Sequence, residues 1–256
     1  MLKISKLCPK VLKKCVERIL HGRQLEMSSD DARKKWGIEE LSKIPKGKSI
    51  LDAGAGECKY KQFCNHLNYV SQDFCEYKGK VTEKGYGVST EKWDTSSIDI
   101  VSDITDIPVK DKSFDYILCS EVFEHISYPD KALLEFNRIL KDDGILILTA
   151  PFASMTHFAP YHFATGFNVF WYEQHCKDFG FEIIKLQKNG NYYSSLAEEL
   201  LTMKRFEEYE KDKWLQFVMR LTISQLVKKA YSQEETHSDV KCTGIYIVAK
   251  KIKNSK

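Results

Sequence analysis

The stretch Ser49-Ile-Leu-Asp-Ala-Gly-Ala-Gly-Glu57 decides the fold, because an apolar strand runs into a carboxylate and then into a Gly-x-Gly turn. Gly54 and Gly56 let the backbone approach a ligand at the carboxyl end of a strand, where open α/β sheets bind nucleotides. A dinucleotide site would need a third glycine at position 59, which is Lys59 here. Asp52 would repel a pyrophosphate, but it suits the ammonium and sulfonium of S-adenosylmethionine. The turn therefore predicts a site for that methyl donor.

From residue 48 onward the pattern alternates between strand, turn and helix, which predicts a parallel sheet with right-handed crossovers. We expect strands near 48–52, 69–73, 98–102, 114–119, 144–149, 181–186 and 242–250, and helices near 57–66, 129–140 and 168–179. The predicted fold class is α/β: a Rossmann-like, seven-stranded, mostly parallel sheet with an antiparallel last strand, plus a helical insertion.

Composition divides the chain into three predicted parts. Residues 1–45 form an N-terminal helical lid, in which 9–21 is amphipathic and favours packing on the domain over lying on an acidic membrane surface. Residues 46–191 and 240–252 form the donor-binding domain. Residues 192–239 form a helical insertion, which is either a cap over the acceptor or the surface of a homodimer. Residues 74–97 are too long for an ordinary connection and predict a loop at the rim of the site.

The bulk properties restrict the classes of partner. A net charge of +3, from 39 basic and 36 acidic residues, gives no broad field for nucleic acid. The eight cysteines form no Cys-x-x-Cys pair, which favours neither a zinc site nor a disulfide framework and fits a reduced, cytoplasmic protein. No run of 18 apolar residues predicts a membrane span, and lysines interrupt any signal-peptide core. Enrichment in Lys, Ile and Asn is typical of an AT-rich bacterial genome.

Further acids and polar groups follow the next strands. Asp73 ends the second strand, 21 residues after Asp52, where an acid is placed to accept both ribose hydroxyls of an adenosine. Asp103 after the third strand can accept the adenine amino group, while the amide of Ile104 donates to the ring. Ser120, at the end of the fourth strand, is also assigned to the donor site.

These motifs, in this order, resemble the class I S-adenosylmethionine-dependent methyltransferases of the large small-molecule group, over residues 48 to 187. Family sequences carry D-x-G-x-G in the first loop, an acid after strand two, D-(I/A/L) after strand three, E-H after strand four and a K-P-G-G-like turn. The corresponding residues here are Asp52, Gly54, Gly56, Asp73, Asp103, Ile104, Glu124, His125 and the turn Lys141–Gly144. The resemblance implies S-adenosylmethionine as the donor and S-adenosylhomocysteine as the product.

The loop Gly54-Ala-Gly-Glu-Cys-Lys-Tyr60 is similar to a G-A-G-x-x-x-Y variant found in methyltransferases of surface-polysaccharide gene clusters. Those relatives continue with H-E-x-P-Y-D-F-x-R-Y-T after strand five, where this chain has His157-Phe-Ala-Pro-Tyr-His-Phe-Ala-Thr165. The resemblance implies transfer to an oxygen, or otherwise a nitrogen, of a sugar, nucleotide-linked sugar or other capsule precursor. The departures at Phe158 and His162 leave the acceptor open.

A hydroxyl acceptor needs a base near neutral pH, and histidine is the usual choice. The candidates are His125, His157 and His162, with Tyr161 as a polar positioner. No metal site is expected, because Asp142 and Asp143 precede strand five at the wrong end of the sheet. The alternatives are methylation of a protein or RNA, and a non-catalytic scaffold that binds the donor.

Overall fold

A computed structural model describes residues 29–77, 79, 92–202, 211–232 and 237–252. The predicted helix at 9–21 and most of the predicted rim loop at 74–97 lie outside these residues. The described residues divide into two compact units, those within 32–189 and 243–252 (the sheet unit) and those within 29–31 and 190–242 (the helical unit). No helix among the described residues is long and apolar enough to cross a membrane.

The sheet unit contains seven strands in the spatial order β3-β2-β1-β4-β5-β7-β6. The strands are β1 (Ser49–Ala53), β2 (Asn68–Asp73), β3 (Ile100–Val101), β4 (Phe114–Ser120), β5 (Leu140–Pro151), β6 (Phe181–Asn189) and β7 (Gly244–Lys251). Strands β1 to β5 pair in parallel, and β7 runs antiparallel to both β5 and β6. The prediction of a Rossmann-like, mostly parallel sheet with an antiparallel last strand is confirmed.

The order of the strands reverses at β1, which pairs with β2 on one side and with β4 on the other. In open α/β sheets, ligands bind beyond the carboxyl ends of the strands at such a switch point. The loop after β1 and the loop after β4 therefore face the same crevice.

The sheet unit also contains α1 (Ser29–Ser42, which begins in the helical unit), α2 (Pro129–Ile139) and α3 (Val169–Asp178). The central strands are almost continuously apolar, as expected for strands covered on both faces. Trp36 and Leu41 of α1 pack with Ile50, Leu118 and Ile147 in one buried cluster. This packing fixes the strand ends that carry the site.

The helix predicted near 57–66 is wrong. The segment contains only a single 3-10 turn at Lys61–Phe63, and i→i+3 hydrogen bonds replace the i→i+4 bonds of an α-helix. Cys58 has a positive φ of 54°, a conformation that does not propagate a right-handed helix. The apolar spacing here therefore reflects a tight connection between β1 and β2.

The helical unit contains α4 (Tyr192–Thr202) and α5 (Lys213–Ser232), which pack against each other. Asn191 begins α4, and its side-chain oxygen accepts hydrogen bonds from the amides of Tyr193 and Ser194. Such a cap satisfies amides that the first turn leaves without a helical partner. Ala197, Met219 and Ile223 are buried apolar side chains of these helices.

Asp115 joins the amino-terminal ends of three strands. Its carboxylate accepts hydrogen bonds from the amide and hydroxyl of Ser49, from Lys48 and from Lys141. Burial opposes its ionisation, but these donors together hold the pKa of Asp115 far below its usual range. A carboxyl group with a depressed pKa stabilises the fold above the pKa of the unfolded chain, about 4, and loses this effect as the pH falls.

Asp115→Asn is expected to lower the free energy of unfolding by about 1–3 kcal/mol at pH 7, because an amide cannot accept all these hydrogen bonds. The difference from wild type should shrink at pH 3, and urea unfolding at both pH values measures it. The matched control is Asp142→Asn, which breaks an exposed ion pair with Lys112 and should cost less than about 1 kcal/mol. Equal stability of Asp115→Asn and wild type at pH 7 would contradict this assignment.

Candidate active site

Asp52 is a buried carboxylate at the end of β1. Its Oδ2 accepts a hydrogen bond of 2.6 Å from the hydroxyl of Tyr69, and 3% of the residue is exposed. Burial raises the pKa of Asp52 to about 7, the Tyr69 hydroxyl opposes the rise, and the nearby charge of Asp73 adds to it. None of these groups is a cation. The site is therefore short of positive charge and would be stabilised by a cationic ligand.

The turn after Asp52 needs its two glycines. Gly54 and Gly56 have φ values of 74° and 53°, in the left-handed region that side chains disfavour. A Cβ atom on Gly54 would lie 2.5 Å from Val122, and one on Gly56 would lie 2.7 Å from the ring of Trp93. The glycines therefore allow both the conformation of the turn and its close contacts.

Asp73, at the end of β2, organises this turn. One carboxylate oxygen accepts from the amide of Gly56 at 2.9 Å and the other accepts from the amide of Cys75 at 2.8 Å. The neighbouring Gln72 accepts from the amide of Gly54 and donates to the carbonyl oxygen of Ser102. The end of β2 therefore connects the turn after β1 with the loop after β3.

Asp103, Ile104 and Ser120 lie at the same carboxyl edge of the sheet. Asp103 is exposed, and its Oδ1 accepts from the amide and hydroxyl of Thr105. Ile104 is buried beside it. The Ser120 hydroxyl is 2.9 Å from the hydroxyl of Thr149 on β5. These contacts orient the residues, and their roles in donor binding stay predictions.

Asp73→Asn is expected to weaken binding of S-adenosylmethionine by about 10–100-fold, because one of two backbone amides loses its acceptor and a charged acceptor for ribose is lost. Isothermal titration of the purified protein measures the affinity. Thermal unfolding of the same sample is the control that separates loss of the site from loss of the fold. An unchanged affinity would remove Asp73 from the donor site.

Three predicted catalytic histidines meet although they are far apart in sequence. The ring centroids of His125 and His157 are 4.7 Å apart, those of His157 and His162 are 4.9 Å apart, and those of His125 and His162 are 5.8 Å apart. We call these three residues the histidine cluster. Burial lowers the pKa of His125 to about 3, with the neighbouring His157 contributing, and burial also lowers that of His162. Both imidazoles are therefore neutral at pH 7.

The loop after β5 folds back to bring His157 and His162 to His125. The amide and hydroxyl of Ser154 both donate to the carbonyl oxygen of Thr165, which closes the loop on itself. The amides of Phe163 and Ala164 donate to the carbonyl oxygen of Glu124, which joins the loop to the segment after β4. The histidine cluster is thus held by hydrogen bonds between backbone segments.

Tyr161 supports the cluster through its main chain rather than its side chain. Its carbonyl oxygen accepts a 2.6 Å hydrogen bond from Nδ1 of His125. Its phenol group packs edge-on against Phe74 and makes only a long, 3.4 Å hydrogen bond to Glu76. The predicted role of Tyr161 as a polar positioner is untested, but this geometry favours positioning of His125.

An aromatic layer links the histidine cluster to the glycine turn. Trp93 covers Gly56, and its ring lies 4.8 Å from that of Phe158. Phe158 is in turn 4.7 Å from His125 and stacks on Tyr77 at 3.6 Å. Aromatic contacts therefore run from the glycine turn to the histidine cluster, with Trp93 and Phe158 lying between the two. Sequence reasoning left Trp93 without a role and treated Phe158 as a departure from the related loops.

Glu124 is a buried acid beside the cluster that the sequence motif contained but did not explain. Its Oε1 lies 3.6 Å from Nε2 of His125, and its Oε2 has no hydrogen-bond partner among the described residues. Burial, with the charge of Glu121, raises the pKa of Glu124 well above its ordinary value. Its burial could not be read from the sequence, because polar residues after a strand are usually exposed.

The residues of the turn fit S-adenosylmethionine. The buried Asp52 has no cationic partner among the groups that shift its pKa, and it lies directly before the glycine turn at the carboxyl end of β1. A ligand with an ammonium group near a sulfonium would supply the missing positive charge. Asp73 and Asp103 stand at the neighbouring strand ends, where the ribose and adenine would lie.

Comparison with known proteins agrees with this geometry. Residues 51–148 match the family described as a methyltransferase domain. An uncharacterized protein of Methanocaldococcus jannaschii is 33% identical over 94 residues, which are 37% of this chain and 40% of that protein. The chain spans half or less of the length of the curated relatives it matches.

Among solved structures, a protein from Galdieria sulphuraria provisionally identified as a sarcosine dimethylglycine methyltransferase is similar in fold. The TM-score is 0.50 at 16% identity, over 85% of this chain and 83% of that chain. The cyclase SpnF has a TM-score of 0.52 at 15% identity, over 87% of this chain and 82% of that chain. At such identities the likeness concerns the fold alone. Residues 51–148 thus match a family described as a methyltransferase domain, and the chain shares its fold with these solved structures.

Proposed function

We propose that the protein transfers a methyl group from S-adenosylmethionine to an oxygen of a small acceptor, either a sugar, a nucleotide-linked sugar or another precursor of a surface polysaccharide. The observation that carries the donor is the buried Asp52, whose pKa is raised by burial and by the charge of Asp73, and no cation is among the groups that shift it. The observation that carries the acceptor atom is the histidine cluster, which offers neutral imidazoles for the activation of a hydroxyl group. The similarity of the 54–60 loop to polysaccharide-cluster enzymes supports the sugar class.

The protein contributes mainly alignment and proton removal. When bound, S-adenosylmethionine supplies a methyl group on a positively charged sulfur, which becomes a neutral thioether once the acceptor oxygen has taken the methyl carbon. Asp52 and the glycine turn hold the donor, and the layer of Trp93 and Phe158 lies between this turn and the histidine cluster. The acceptor hydroxyl loses its proton at the histidine cluster, where His157 or His162 accepts it.

His157 and His162 are stronger candidates for the base than His125. His125 donates through Nδ1 to a backbone carbonyl group, and its low pKa makes it a weak proton acceptor. His162 makes no hydrogen bond through either ring nitrogen among the described residues, so its one unprotonated nitrogen is not occupied by a hydrogen-bond donor there. His157 donates through Nδ1 to the carbonyl oxygen of Met155, which leaves Nε2 as its basic nitrogen.

Transfer of a labelled methyl group tests the proposed acceptor class. The purified protein is incubated with methyl-labelled S-adenosylmethionine and an extract of the native organism lacking this gene. The extract is then fractionated into small metabolites, glycans and lipids, protein, and RNA. Label in nucleotide-sugars or glycans is expected. Label confined to protein or RNA would overturn the sugar assignment, and donor binding without any labelled product would favour a donor-binding scaffold.

A further inference from the structure

We propose that His125, His157 and His162 bind one divalent transition-metal ion of the zinc class, with an oxygen of the acceptor as a further ligand. One nitrogen from each ring lies within 4.8 Å of the other two, and all three residues are partly buried. No metal site was expected from the sequence, where Asp142 and Asp143 lie at the wrong end of the sheet, and the three histidines meet only through the folded loop after β5. The role of the ion rests on the proposed function, but its binding does not.

The tautomers of two histidines favour metal binding. A carbonyl oxygen can only accept a hydrogen bond, so Nδ1 of His125 carries a proton toward Tyr161 and Nδ1 of His157 carries one toward Met155. Each ring therefore has an unprotonated Nε2 on its other side. Metal-binding histidines in proteins are oriented in the same way, with the second ring nitrogen donating to a carbonyl group or a carboxylate.

The third histidine gives independent support. Both ring nitrogens of His162 are buried atoms without a hydrogen-bond partner among the described residues. A buried polar group without a partner costs free energy, so most such groups in native proteins have a partner or contact an ion or a water. A metal ion at the centre of the cluster would give one of these two nitrogens a partner and would be shared with the two neighbouring rings.

The three histidine nitrogens need to move only slightly closer together to bind one ion. In tetrahedral coordination at 2.0–2.1 Å, neighbouring ligand nitrogens are about 3.3 Å apart. The present upper limit of 4.8 Å is larger, and side-chain rotations of about 1 Å would bring the nitrogens into range. The backbone itself need not move. The hydrogen bonds from Ser154 to Thr165, and from the loop after β5 to Glu124, already hold that loop beside the segment after β4.

The donor set selects the class of metal. Three imidazoles suit zinc and neighbouring transition metals, whereas magnesium and calcium prefer oxygen ligands. Three protein ligands leave a position open, as in catalytic rather than structural zinc sites. The buried carboxyl group of Glu124, whose Oε1 lies 3.6 Å from Nε2 of His125, stands beside the proposed site. An acceptor hydroxyl bound at the open position would be acidified by the ion, and its proton would pass to solvent water because the three imidazoles would be bound to the metal.

Cobalt(II) is a suitable probe, because its visible absorption reports coordination without any assay of activity. The untagged full-length protein is freed of metal with a chelator and titrated with cobalt chloride. We expect one ion per chain and the intense absorption of a low-coordinate nitrogen site. His162→Ala and His157→Ala should each weaken cobalt binding by more than about 10–100-fold. That range is the cost of losing a residue that only hydrogen-bonds to a metal ligand. Zinc should displace the cobalt.

The matched control is His175→Asn, because His175 lies on α3, stacked on Trp171, outside the cluster. This variant should bind cobalt as wild type does. Absence of a stoichiometric site in wild type would overturn the proposal, and so would equal binding by all three variants or a sulfur-to-cobalt charge-transfer band. Titration of the metal-free protein with S-adenosylmethionine separates the two proposals, since the donor site does not depend on the ion.

Discussion

His162→Ala is expected to lower the rate of methyl transfer by about 10²–10⁴-fold while leaving the affinity for S-adenosylmethionine unchanged. The reason is that His162 belongs to the cluster at the acceptor side, separated from the glycine turn by the layer of Phe158 and Trp93. Single-turnover rates with the identified acceptor, together with titration of the donor, measure the two quantities. A loss in the rate alone places His162 in the activation of the acceptor.

His157→Ala should behave in the same way, and His175→Asn provides the control for a histidine outside the cluster. The double variant His157→Ala/His162→Ala should lose less than the product of the two single losses, because the two rings share one site. Full activity in both single variants would assign the activation to His125 or remove the need for a base. Reduced donor affinity in either variant would contradict the separation of donor and acceptor sides.

Asp52→Asn is expected to weaken binding of S-adenosylmethionine by about 10–100-fold at pH 8, because the amide has the shape of the carboxylate without its charge. The wild-type affinity should also fall as the pH drops below about 7, because the free protein then holds a proton on Asp52 that the cationic donor must displace. The variant should show no such dependence. Titration calorimetry between pH 6 and 8 measures both effects.

Stability provides the control for this variant. The raised pKa of Asp52 means that its ionised form opposes folding at pH values above about 7, so removal of the charge should not destabilise the free protein there. Asp52→Asn should therefore unfold at the same temperature as wild type or higher at pH 8. A lower unfolding temperature would indicate a structural role, and an affinity equal to that of wild type would remove Asp52 from the donor site.

The sheet was predictable because its signals are local. An apolar strand followed by Asp52 and the glycine turn, and apolar strands spaced by helical segments, determine a doubly wound sheet whatever the details of the loops. The seven strands, the parallel pairing of β1 to β5 and the antiparallel β7 agree with that prediction. The helix expected near 57–66 failed because apolar spacing does not report φ, and the left-handed Cys58 excludes a continuous helix.

The histidine cluster was only partly predictable. Its three members could be named from their positions after strands β4 and β5, but their meeting depends on the closure of the loop by Ser154 and Thr165. Nothing in the local sequence marks a contact between residues 37 positions apart. The unpartnered nitrogens of His162 depend on that same tertiary contact, so the proposal of a metal site required the structure.

Asp73 shows a different limit of prediction from the sequence. Its position 21 residues after Asp52 predicted a contact with ribose, and the structure adds that both of its oxygens already accept from backbone amides. A side chain that holds the turn can also accept from a ligand, because each carboxylate oxygen has a second lone pair. The sequence pattern identified the residue, while its bond to Gly56 comes from the three-dimensional approach of β1 and β2.

The most direct test of methyl transfer is the formation of S-adenosylhomocysteine by the purified protein in the presence of the gene-deleted extract. Wild type is expected to form it in amounts equal to the labelled acceptor, while His162→Ala, with intact donor binding, forms about 10²–10⁴-fold less per unit time. The proposed activity would be contradicted if wild type binds S-adenosylmethionine tightly but S-adenosylhomocysteine forms no faster than in the extract alone.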